Sequence, residues 1–229
     1  MDFKRNRKVV IREEMVDLNE LEQWLMNSGI TKKELQKDLQ GNLNLTPGTY
    51  GYKDSWILSI KGQEDIELSA GTICDFLDQI SIADFQYLWE NQEYHDNIAA
   101  LIRDPGNMHE WLMVSALPYL KVMGIPMGFV KDYRDPVSNC VFWIDGKKGC
   151  HGRELSTQMH NYLLNAIKGA CNAFIEAGLD NEDDSQINAM WILGGYLSEF
   201  IQTVSVSKDS KLIELIGVLK RRKLTCPNL

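Results

Sequence analysis

Three of the four histidines of this 229-residue chain, His109, His151 and His160, fall within 52 residues of one another. Imidazole changes charge near neutral pH, so such a group can move a proton or hold a metal ion. Two of the three share the segment GCHGRELSTQMHN, and the third sits in NMHEW, directly before a carboxylate. Glu110 and Asn161 follow His109 and His160 and offer a ligand or second base and an orienting amide. From these residue types we expect a histidine-centred site. His151 acts as general base with Glu110 and Asn161 beside it, and His109 and His160 bind a divalent metal ion, Zn or Mg. A zinc site from Cys140, Cys150, His151 and His160 is a second arrangement, although its spacing fits no standard zinc module.

Such side chains need elements that turn them towards one point. His160 shares a helical stripe with Leu163, Leu164, Ile167, Cys171 and Phe174, which predicts a helix over about Ser156 to Ala177 with His160 facing inward. The same spacing puts His109 with Leu112, Met113, Ala116 and Leu120 on a helix capped by Asn107 and bent near Pro118. Between them, CVFWIDGKKGCHG reads as a β-hairpin around Asp145-Gly146, with His151 at its lip and Cys140 opposite or diagonal to it. A buried imidazole needs partners for its ring nitrogens, and a shared site supplies them. The plainer alternative is that these histidines are satisfied core or capping residues. Trp111, Trp143 and Trp191 are expected as core aromatics, Met108, Met113, Met123 and Met127 as packing residues, and Cys74 and Cys171 as small hydrophobes.

The order of hairpin, histidine and helix is similar to the ββα-metal nuclease arrangement. There a histidine ends the hairpin as base, an asparagine orients it and the following helix supplies metal ligands. Position 164 is leucine, so the helix lacks a second histidine one turn after His160, and the second ligand falls to His109 or Glu110.

The rest of the chain frames this region. Val9 to Ile11 suggests a strand, Asp17 and Thr31 start two amphipathic helices, and NLTPGTYGYKDSWILSIKG carries two strands around a turn. Ser69 opens helical patterns that run to about Ile102, and Asp104-Pro105-Gly106 breaks the chain. We expect an α+β protein, predominantly α-helical. Residues 1–104 form a small mixed module, and residues 105–229 carry a helix, the β-hairpin and three C-terminal helices from Ser156, Ser185 and Lys211.

Composition excludes several classes. Hydrophobic residues make up 44% and charged residues 24%, which sets the chain apart from disordered proteins. No signal peptide or transmembrane segment is recognisable, and the five irregularly spaced cysteines suit a reducing compartment, so a cytoplasmic location is expected. The net charge of −8 is uneven: the first eight residues carry +3 and the last ten +4, leaving −15 between them. An acidic body suits a basic partner, while the basic ends, KRNRK and KRRK, aid solubility or form a phosphate-binding patch.

The segments GNMHEWLMVSALPYLKVMGIPM and HGRELSTQMHNYLLNAI together resemble the C-terminal toxin-like nuclease domains of bacterial Rhs-type polymorphic toxins. The likeness rests on Asn107, Met108, His109, Glu110 and Trp111, and on His151, Ser156, Thr157, His160 and Asn161, and covers residues 105–178. It implies a histidine-centred hydrolase of nucleic acid used in bacterial competition, with a cognate immunity protein as partner. Two other readings stand beside it. One is a non-catalytic acidic binding protein, an immunity or inhibitor protein that neutralises a basic toxin or a nucleic-acid-binding site. The other is a helical scaffold with an apolar outer face.

Overall fold

The computed structural model describes residues 8–11, 14–17, 43–47, 55–60, 66–178 and 185–221. The chain divides into two compact units, Met1–Asp104 and Pro105–Leu229. The helices expected from Asp17 and Thr31, most of KRNRK and half of KRRK lie outside the described residues.

In the first unit, β1 (Lys8–Ile11) pairs antiparallel with β2 (Glu14–Asp17), and β3 (Leu43–Pro47), β4 (Ser55–Ile60) and β5 (Ile66–Ser69) form an antiparallel sheet in that order. Three helices follow, α1 (Ile73–Gln79), α2 (Ile82–Glu90) and α3 (Gln92–Arg103). Ser69 ends β5 instead of opening a helix. Its backbone N–H donates to Thr72 Oγ1 at 2.9 Å while its carbonyl accepts from Thr72 N at 3.1 Å, so a side-chain-closed turn separates strand from helix. Ser81 caps α2 by accepting from the Asp84 N–H. Ile73, Leu77, Phe85, Leu88, Trp89, Ile98 and Ile102 fill the core of this unit, and α3 stops directly before Asp104-Pro105.

The second unit is where the sequence and the structure part most clearly. Residues 107–113 are not helical. Asn107 has φ 65°, and β6 (Met108–Glu110) pairs antiparallel with β7 (Arg134–Pro136). A 3-10 turn at Val114–Ala116 leads into α4 (Leu117–Val122), and α5 (Gly128–Asp132) precedes β7. The cause of the difference is burial on every side. Trp111, Leu112, Met113, Val114, Ala116, Leu117 and Leu120 are all buried, and a continuous apolar run contains helical spacing whatever its conformation. Asparagine tolerates the left-handed region that starts the strand, and Pro118 occupies the first turn of α4, where its missing N–H costs nothing.

The remaining elements follow expectation closely. β8 (Val141–Ile144) and β9 (Lys147–Cys150) form the hairpin, then α6 (Ser156–Glu176), α7 (Ser185–Thr203) and α8 (Lys211–Arg221) complete a protein that is α+β and predominantly helical. On α6 the stripe of Leu163, Leu164, Ile167, Cys171 and Phe174 is buried, and α6 packs on α7 and α7 on α8. One short strand was not foreseen: β10 (Val204–Val206) leaves α7 and adds to β8, giving the antiparallel order β10-β8-β9. Trp111 is fully buried and Trp143 half-buried, but Trp191 is 44% exposed. The buried face of α7 is Ala189, Met190, Leu193, Leu197 and Phe200, and Trp191 falls outside that stripe. Met113, Met123 and Met127 are core residues, as are Cys74 and Cys171. Among the described residues no helix is long and apolar enough to cross a membrane.

Candidate metal centre

Local sequence explains how the hairpin aims its ends. Asp145 at φ 50° and Gly146 at φ 75° make the left-handed two-residue turn that matches strand twist, and the register that follows pairs Val141 with Cys150. One step further, Cys140 faces His151, whose N–H donates to the Cys140 carbonyl at 3.4 Å. Gly149 is obligatory here: opposite it lies the fully buried Phe142, and a Cβ on Gly149 would stand 2.3 Å from that ring. After His151 the chain turns at Gly152, φ 72°, whose N–H donates to the buried Ser156 Oγ at 3.1 Å. That bond ties the hairpin to the start of α6, which carries His160.

The three histidines converge. His109, in the middle of β6 and only 2% exposed, places its Nδ1 3.1 Å from Nδ1 of His151. Ring centroids are 5.2 Å apart for His109 and His151, 5.4 Å for His109 and His160, and 5.7 Å for His151 and His160. Cys140 joins them. One ligand atom from each of His109, Cys140 and His151 lies within 4.8 Å of the other two, so this cluster is capable of coordinating a metal ion. Two nitrogens held about 2.0–2.1 Å from a tetrahedral ion stand about 3.3 Å apart, close to the separation found. His109 Nε2, the other ring nitrogen, is buried with no hydrogen-bond partner.

Burial dominates the electrostatics. It pushes His109 well below the ordinary imidazole range, helped by the neighbouring His160 and His151, and it brings His160, beside His151, down to about 4. The Cys140 thiol is pushed up to about 12, by burial first and then by Asp135 and Cys150, against the opposing effect of the His151 N–H. Without a cation, all three groups are therefore neutral at pH 7.

A second layer fixes His109. Trp111 shares the inward face of the strand and meets the imidazole edge-on, centroids 4.4 Å apart at 87°. Directly across the ladder from His109 is Asp135, only 7% exposed. Its carboxylate accepts from Trp111 Nε1 at 2.7 Å, from Ser210 Oγ at 2.7 Å and from the Lys211 N–H at 3.1 Å, which sets it at the positive end of α8.

The other expected residues are placed differently. Strand alternation turns Glu110 to the face opposite His109, across from Arg134, so adjacency in sequence separates the two side chains. Asn161 is exposed, about 100° round α6 from His160. Cys150 pairs with Val141 on the opposite face of the hairpin from Cys140, which breaks up the expected quartet of Cys140, Cys150, His151 and His160. Asp135 escaped sequence reasoning because RDP reads as a loop; only its pairing with His109 reveals it. Comparison with protein-family models, curated proteins and solved structures finds no match to this chain.

Proposed function

We propose that the protein is a metal-dependent hydrolase of the toxin-like nuclease kind, cutting phosphodiesters in nucleic acid. The observation that carries this reading is the convergence of three imidazoles and a thiol, brought from β6, both ends of the hairpin and α6. His109, Cys140 and His151 hold a divalent ion, which supplies Lewis-acid stabilisation for charge developing on a phosphate oxygen. His160, neutral at physiological pH, takes the proton from the attacking water as the new P–O bond forms, and the leaving strand's oxygen takes up a proton from solvent as its bond to phosphorus breaks. These roles exchange those expected for His151 and His160. His151 stands opposite Cys140 and against His109, whereas His160 approaches from a separate helix.

Exposed Lys147 and Lys148 on β9 and Arg153 just after His151 offer a local positive field for a polyanion on an otherwise acidic body. The resemblance of residues 105–178 to Rhs-type toxin domains supports the same reading and adds a setting: bacterial competition, action in a cytoplasm and a cognate immunity protein as partner.

The test is metal analysis of the purified protein together with cleavage of DNA and RNA, with and without a chelator. Cleavage is expected to stop on chelation and return with the ion. His160→Gln should lose about 10²–10⁴-fold in rate while keeping the metal. Bound metal with no cleavage of either nucleic acid and no toxicity on cytosolic expression would make the ion a structural staple, and the acidic binding protein the better reading.

A further inference from the structure

Resting on the reading of this cluster as a metal centre, the geometry points to zinc as its ion, bound through a Cys140 thiolate together with His109 and His151. Magnesium is the wrong ion for these donors.

The argument starts from donor chemistry. The atoms that come together are two imidazole nitrogens and one sulfur, with no carboxylate oxygen from the described residues in the group. Magnesium requires near-octahedral oxygen coordination and keeps its waters, and calcium takes six to eight oxygens. Zinc accepts nitrogen and sulfur together in a tetrahedron, and thiolate ligands select it over the hard cations. Three protein donors leave a fourth position, the pattern of a zinc that does chemistry.

Charge points the same way. A dication enclosed among His109 at 2% exposure and Cys140 at 1% needs compensating anions close by. The fold supplies one fixed anion, the buried Asp135 across the ladder from His109 and within electrostatic range of Cys140. Zinc binding supplies the second. As the S–Zn bond forms, the Sγ–H bond breaks and its proton leaves to solvent, so the ion, the Cys140 thiolate and the Asp135 carboxylate together are neutral. With magnesium on the same donors the thiol stays protonated and one positive charge remains uncompensated in the interior. Asp135 is thereby a positioning and charge-balancing residue, committed by its three hydrogen bonds to Trp111, Ser210 and Lys211.

Cobalt(II) titration of the metal-free full chain tests this without depending on activity. One equivalent should give intense tetrahedral d–d absorption and a near-ultraviolet sulfur-to-cobalt charge-transfer band, both bleached by zinc and untouched by excess magnesium. Cys140→Ser should lose the charge-transfer band and weaken zinc binding by about a hundredfold or more, since even outer-shell changes cost 10–100-fold. Cys150→Ser, on the other face of the hairpin, should retain both. A wild-type cobalt complex with no thiolate band would overturn the inference, whatever the variants do, and so would magnesium binding that zinc fails to displace. The two readings fail separately. A zinc–thiolate centre that cleaves no nucleic acid sinks the hydrolase and leaves the zinc site standing, whereas magnesium-supported cleavage that is equal in wild type and Cys140→Ser does the reverse.

Discussion

His109 is a residue the fold would be more stable without. Its ring is almost wholly enclosed, one nitrogen meets His151, and the other meets nothing that can share a hydrogen bond. An unserved buried polar atom costs about 1–3 kcal/mol, and replacing it by an apolar group of similar volume removes that cost. We therefore expect His109→Leu to stabilise the metal-free protein by about 1 kcal/mol in urea unfolding while abolishing metal binding. A purely structural histidine behaves in the opposite way, losing stability with no metal-dependent signal to lose. The candidate site was legible in its histidines because imidazoles are scarce and carry their chemistry with them. It was not legible in its partners. Glu110 and Asn161 neighbour the histidines in sequence, but adjacency in a strand or round a helix points side chains apart. Cys140 and Asp135 reach the site only through strand register, which is set by pairing between segments distant in sequence.

At the scale of elements, two short antiparallel pairs do the positioning, β6–β7 for His109 and β8–β9 for Cys140 and His151. The hairpin was readable because Asp-Gly between β-rich runs specifies a local turn, and the last three helices because each shows an apolar stripe bounded by polar loops. The β6–β7 pair was unreadable for the converse reason: its strands are three residues each, with 23 residues between Glu110 and Arg134, and no turn of their own. Its stability must come from elsewhere, and Asp135 is the source, joining Trp111 to the N-terminus of α8. Asp135→Asn keeps the shape but removes the charge from three donors. It should lower stability by about 2–4 kcal/mol, measured by denaturant unfolding, and should weaken metal binding along with it. In the hairpin, Gly149→Ala drives a methyl group into the Phe142 ring. A cost of about 1–3 kcal/mol is expected, again with reduced metal affinity, because the strand ends holding Cys140 and His151 must shift. Unchanged stability in either variant would show that these contacts do not hold the site together.

Over the whole molecule, buried neutral imidazoles make stability depend on acid. His95 in the first unit is only 1% exposed and held below the ordinary value of 6.5, by burial first. In the second unit His109 lies well below 6.5 and His160 at about 4, again chiefly through burial. For each, the unfolded chain takes up a proton as pH falls through 6.5 while the folded chain does not. Stability is therefore full above 6.5 and declines as pH drops from there towards 4 in the metal-free protein. A metal ion needs the same neutral imidazoles and an unprotonated thiol, so its added stabilisation is greatest near and above neutrality and is lost over the same acid range. Urea midpoints of the metal-free and zinc-loaded protein at about pH 7.5, 6 and 5 separate the two contributions. The metal-free midpoint should fall with pH, and the gap between the two curves should close by the most acid point. His160→Gln should flatten the metal-free dependence without removing it, since His109 and His95 still titrate. A midpoint that rises on acidification would mean that these histidines are charged in the folded chain, which would be incompatible with a buried cation among them.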